Sequence, residues 1–89
     1  MDTDLLPVAY QRLLDELASE PGPARAMWYY VLVLMMIEDN EAHIVETNHD
    51  GDLVHLVVRD TSGEMFDVVR PPMSQELVDS LLGQAREHV

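Results

Sequence analysis

Three histidines and two aspartates, His43, His49, Asp50, Asp52 and His55, fall within thirteen consecutive positions. Imidazoles and carboxylates together form the donor set of zinc, nickel or manganese sites. Their spacing matches no metal-binding signature, and polar decoration of an exposed sheet face beside an Asp- and Gly-rich turn accounts for the same residues. Asp50-Gly51-Asp52 also lacks the alternating acids and distant Glu of a hand-type calcium loop. No metal ligand is assigned. Acid–base chemistry could use His43, His55 and Asp67, because an imidazole titrates near neutrality and a neighbouring carboxylate can orient it. Four histidines and seventeen acids in 89 residues make one such proximity an expected coincidence. There is no cysteine and no Gly-x-Ser-x-Gly elbow, and the four glycines are isolated rather than gathered into a phosphate-binding loop. The chain is read as having no catalytic residue and no cofactor.

The elements that would position these residues belong to one small domain, residues 1–89, since a chain of this size supports a single core. Leu5, Leu6, Ala9, Tyr10, Leu13, Leu14 and Leu17 recur at spacings of three and four, which predicts a helix from about Asp4 to Ser19, capped by Thr3 or Asp4 with Pro7 near its first turn. Glu20-Pro21-Gly22-Pro23 stops it. Between Pro23 and Asn40, the run Met27 to Ile37 contains no polar residue to reveal a period. Its length, the proline near a helix start and the unbranched Leu and Met residues favour a helix. The alternative is a strand over residues 28–37, which Tyr29, Tyr30, Val31 and Val33 would suit.

From Glu41 to Arg70, short β-rich runs alternate with two turn signals, which predicts a three-stranded antiparallel meander. In each connection a glycine stands third in a three-residue bulged loop, so Asn48 pairs with Asp52 and Asp60 with Glu64. Ala42, Ile44, Val54, Leu56, Val58, Phe66 and Val68 then share one face, with Glu46, Glu64 and Arg70 at its ends. The other face is mixed and carries His43, Val45, Thr47, Leu53, His55, Val57, Arg59, Met65, Asp67 and Val69. In this register His43 and His55 are diagonal neighbours, Asp67 lies diagonal to His55, and His49 sits in the loop. Pro71-Pro72 ends the third strand. Ser74 offers an N-cap to a last helix whose stripe is Leu77, Val78, Leu81, Leu82 and Ala85. The expected fold is α+β in the order α-α-β-β-β-α, or α-β-β-β-β-α if residues 28–37 are a strand.

Seventeen acids oppose five arginines, there is no lysine, and the net charge is −12. Such a charge repels phosphate backbones and anionic membranes, so direct nucleic-acid and membrane binding are not expected, while a basic protein partner is. An acidic start without a signal pattern, together with the lack of cysteine, gives a cytoplasmic expectation. A helix apolar on every side would leave Trp28, Tyr29, Tyr30, Met35 and Met36 as a candidate interface, and burial against a second copy would cover it. The function expected from these features is a non-enzymatic protein–protein interaction module that forms a homodimer. Two alternatives are a small-ligand or metal-binding protein using His43, His55 and Asp67 of the polar sheet face, which also carries Arg59, and an acidic nucleic-acid mimic that inhibits a basic protein.

Overall fold

A computed structural model of the chain describes residues 8–18 and 22–88, without the side chains of Val8 and Phe66. Its elements are α1 (Val8–Leu17), α2 (Pro23–Glu38), β1 (Ala42–Asp50), β2 (Leu53–Asp60), β3 (Met65–Arg70) and α3 (Gln75–His88). The order is the expected α-α-β-β-β-α, and residues 28–37 are helical. The start, cap and first turn expected for the first helix, and residues 19–21 at its expected end, lie outside the described residues.

Pro23 occupies the first turn of α2, where its missing N–H needs no partner. At the other end Asn40 takes the left-handed conformation, with φ 62°. Its amide donates to the Ile37 carbonyl at 3.1 Å, and the Glu41 amide reaches the Met36 carbonyl at 2.8 Å. These are the paired bonds of a Schellman stop, and asparagine is the residue after glycine that best tolerates it. Ser74 caps α3 as expected: its Oγ accepts from the Leu77 amide at 3.1 Å.

Backbone contacts run from α2 to β1 and β3, and from α1 and α3 to α2 and to each other. The helix is thus a middle layer, with the sheet on one side and α1 and α3 on others. This accounts for its lack of a polar side. Trp28, Tyr30, Val31, Leu32, Val33, Met35 and Met36 are all buried, whereas Met27 and Leu34, seven residues apart and so on one line of the helix, are partly exposed. The uncovered surface expected on α2 is therefore not found. Of the five residues expected to form an interface there, Trp28, Tyr30, Met35 and Met36 belong to the core of the single chain and Tyr29 is partly buried.

The three strands form one sheet in the order β1-β2-β3. Between β2 and β3 the register is the expected one: Val58 pairs with Phe66, Leu56 with Val68 and Val54 with Arg70. Gly63, at φ 93°, closes a three-residue loop in which the Asp60 amide donates to the Glu64 carbonyl at 2.9 Å. The first loop differs from expectation. Asp50 pairs with Leu53, so only Gly51 and Asp52 form the connection, with positive φ at Gly51, the position that a type II′ hairpin reserves for glycine. His49 consequently lies in the strand opposite Val54 rather than in the loop. Near the turn this register exchanges the faces of β1: Glu46 joins Val57 on the outer side, and Thr47 joins Leu56 on the inner side. An irregularity between Ile44 and Glu46 then absorbs Val45 as a bulge, which returns Ile44 to Val58 and keeps Ala42 and Ile44 on the expected inner face.

Candidate interaction surface

Sheet and helix dimensions decide which surface is left open. Three strands spaced about 4.8 Å apart span roughly 14 Å, whereas one helix is about 10 Å across with its side chains. A single helix therefore covers part of the sheet and not all of it; α2 approaches β3 and β1 and leaves most of β1 open. Leu56, Val58 and Val68 are buried beneath it, but on β1 only Ala42 is; Ile44 is 43% exposed and Val45 is 50% exposed. The whole of β1 from His43 to Asp50 is exposed.

The outer face has no helix over it among the described residues. The pairings arrange it in rows across the strands: His43-Arg59-Met65, Glu46-Val57-Asp67, Asn48-His55-Val69, and Asp50-Leu53 at the tip. Met65 is 50% exposed, Val69 38% and Leu53 36%. The Asn48 side-chain amide donates to the Glu46 carboxylate at 2.7 Å. None of the ion pairs formed among the described residues involves Arg59. A cationic row thus lies beside an acidic one on a face with interspersed apolar side chains.

Of the polar residues singled out from the sequence, His43, His55, Arg59 and Asp67 all share this face, and Asp67, opposite Val57, is the diagonal neighbour of His55. His43 and His55 are not diagonal neighbours. His43 stands opposite Arg59 and His55 opposite Asn48, four positions apart along β2, or roughly 13 Å at strand rise. The two-residue loop is the cause, because it shifts β1 along β2. Among the described residues no group of three His, Asp or Glu side chains converges on a point where a metal could bind.

A shallow depression of about 420 Å³ lies where His43 and Arg59 meet the Asp60–Gly63 turn. The Ser62, Gly63 and Glu64 donors of the turn are already engaged. The Asp60 carboxylate accepts from the Ser62 hydroxyl at 2.7 Å, the Ser62 amide at 2.9 Å and the Glu64 amide at 3.0 Å, and the Gly63 amide donates to the Asp60 carbonyl. These bonds, that of the Ser62 hydroxyl first, hold the Asp60 carboxyl below its ordinary range.

A second constellation, which the sequence reading missed, ties the helices together where α1, the end of α2 and the end of α3 meet around a groove of about 480 Å³. The Tyr10 hydroxyl donates to Glu41 at 2.8 Å, and burial, followed by that bond and the charges of Glu41 and Asp39, pushes its phenol far above the ordinary range. Arg86 bridges to Glu38 at 2.8 Å and to Asp39 at 3.2 Å, and the two carboxylates raise its already high pKa further. His88 Nδ1 lies 4.0 Å from Glu16. With these groups satisfied by one another, the groove reads as a polar clasp. Nothing in the spacing of Tyr10, Asp39, Glu41 and Arg86 announces it, because Tyr10 lies on an apolar stripe and Arg86 suits a helix end on local grounds alone.

The chain was compared with protein-family models, with curated proteins and with solved structures, and it matches none of them.

Proposed function

We propose that the protein is a non-enzymatic protein–protein interaction module whose working surface is the open sheet, and that its outer face pairs with a second copy. The observation that carries this reading is the uncovered face on which Leu53, Met65 and Val69 stand exposed among charged residues. Apolar side chains on a polar-rimmed open face are the usual mark of a binding surface. The choice of a second copy rests on the rows. Successive rows lie roughly 7 Å apart, so a mate reversed along the strands and overlapping all four rows sets the His43-Arg59 row of one copy over the Asp50-Leu53 tip of the other, Arg59 facing the Asp50 end, and the Glu46-Asp67 row over the His55-Val69 row.

The face is small. About 14 Å by 26 Å is some 360 Å² in footprint, well under the roughly 800 Å² per partner of a standard interface, so this pairing is weak and concentration-dependent. Light scattering coupled to size exclusion tests it. The expected mass rises from the 10.1 kDa of one chain towards twice that value as concentration increases. The double variant Met65→Glu/Val69→Glu, with an unchanged circular dichroism spectrum, should remain at one chain. A mass of one chain at every concentration in the parent protein would remove the second copy as the occupant of this face.

A further inference from the structure

β1 is an edge strand of nine residues, Ala42–Asp50, paired on one side only among the described residues. Edges of this length are normally protected by Lys, Pro, a bulge or a covering element, and the bulge of β1 lies at Val45, outside residues 46–50. β1 contains no Lys, Arg or Pro, and among the described residues no helix covers it beyond Ala42. What it presents beside its free backbone is acid. Glu46 and Asp50 stand on its outer side with Asn48 between them, Glu41 precedes the strand and Asp52 follows it. On the inner side Ile44, 43% exposed, Thr47 and His49 are also open.

Resting on the reading of the chain as an interaction module, we infer that the β1 edge binds an extended basic segment of another protein as a fourth strand. Main-chain hydrogen bonds to the free edge supply the affinity, and alternate side chains supply the selectivity. The incoming strand carries Arg or Lys at the alternate positions that meet Glu46 and Asp50. Apolar β-branched residues occupy the positions between, over Thr47 and His49. A second copy does not suit this edge. A two-fold mate pairing over residues 46–50 would set Glu46 of each copy against Asp50 of the other, and like charges directly opposed across strands are destabilising. Other registers either shorten the ladder or run into the Val45 bulge. Charge therefore chooses a basic partner.

The test uses the full chain and three capped octapeptides: one alternating Arg and Val, one alternating Glu and Val, and the Arg-Val peptide with its alternate backbone amides N-methylated. Binding is read by calorimetry, and the site by the exchange protection of backbone amides. The Arg-Val peptide should bind and protect amides within residues 43–50, the Glu-Val peptide should not bind, and N-methylation should weaken binding at least about tenfold because it removes ladder donors without changing charge. Glu46→Lys/Asp50→Lys should also weaken it about tenfold, by reversing two cross-strand pairs. Equal binding of the N-methylated peptide, or protection confined to the outer face of β2 and β3, would overturn strand addition in favour of diffuse charge attraction. Binding of the Glu-Val peptide as tightly as the Arg-Val peptide would overturn the basic partner. Met65→Glu/Val69→Glu separates the two proposals: it abolishes pairing of copies and leaves peptide binding intact. Peptide failure with a concentration-dependent dimer would refute only the edge, and peptide binding without a dimer would refute only the homodimer.

Discussion

Alanine substitution at Val31, Leu32 and Val33 tests the placing of α2 as a middle layer. These positions are turned from one another by roughly 100° each, so they sample more than half of the helix circumference. All three side chains have zero exposure. Leu→Ala at a fully buried site costs about 2–5 kcal/mol, and removing two buried methyl groups from Val costs about 1.6 kcal/mol in transfer alone, before any cavity term. At about 0.05–0.15 kcal/mol per residue the whole domain is stable by roughly 4–13 kcal/mol, so each change removes a substantial part. In a surface helix whose solvent side spans half its circumference, at least one of three consecutive positions faces water and is cheap. Here none should be. Leu34→Ala, on the partly exposed line, should cost clearly less than Leu32→Ala. Urea unfolding monitored by the single tryptophan gives the four differences, and thermal scans should fall by about 4–8 °C per kcal/mol. A cost below about 0.5 kcal/mol at Val31, Leu32 or Val33, the range of surface substitutions, would refute the placing of α2 as a middle layer.

Three further outcomes follow from the polar details. Asp60→Asn should narrow the acid response: the lowered Asp60 pKa contributes stability that is present above the unfolded value near 3.9 and lost as pH falls through the lower folded value. The parent protein should thus exceed the variant at pH 6 by more than at pH 3, and an equal difference at both would contradict the carboxylate's role. The raised phenol of Tyr10 contributes stability below its unfolded value of about 10 that is lost as pH climbs towards the folded one. Ultraviolet titration should show a late tyrosine ionisation that coincides with alkaline unfolding and is absent in Tyr10→Phe; its persistence there would reassign it. Asn40→Gly should leave stability unchanged or raise it by up to about 1 kcal/mol, whereas Asn40→Val should lower it by about 1 kcal/mol or more, since a β-branched residue resists the left-handed conformation. Equal effects of the two in chemical unfolding would refute the left-handed stop.

Much of the fold was legible because it is written in local signals. The 60–64 loop is an example: Asp60, Ser62 and Gly63 each have one turn role, and the register between β2 and β3 follows from them. Ser74 announces α3 in the same way. The first hairpin was ambiguous because Asp50-Gly51-Asp52 can close either two or three residues, and a two-residue loop combined with a bulge preserves the inner positions of Ala42 and Ile44. Hydrophobic alternation at the base of β1 could not distinguish the two solutions. The candidate site was legible only as a face: His43, His55, Arg59 and Asp67 do share it, yet the spacing between the histidines depended on the loop. The exposed surface was sought on α2 because each neighbour was assumed to cover the sheet as well. In the fold α1 and α3 pack on α2, and the surplus apolar surface falls at β1 instead.

The bulge at Val45 bears on a hazard that any free sheet edge carries, the endless stacking of one chain on another. Val45 is an extra residue, and the pairs on either side of it would survive its deletion: Ile44 would still meet Val58, and Glu46 would still meet Val57. Such a deletion yields a straighter strand with an unbroken ladder to β2. It also removes the local twist that keeps the edge from being a flat template, leaving only Glu46 and Asp50 to discourage fibrils. The irregular residue can thus be dispensable to the monomer and still decide whether the protein stays dispersed when concentrated.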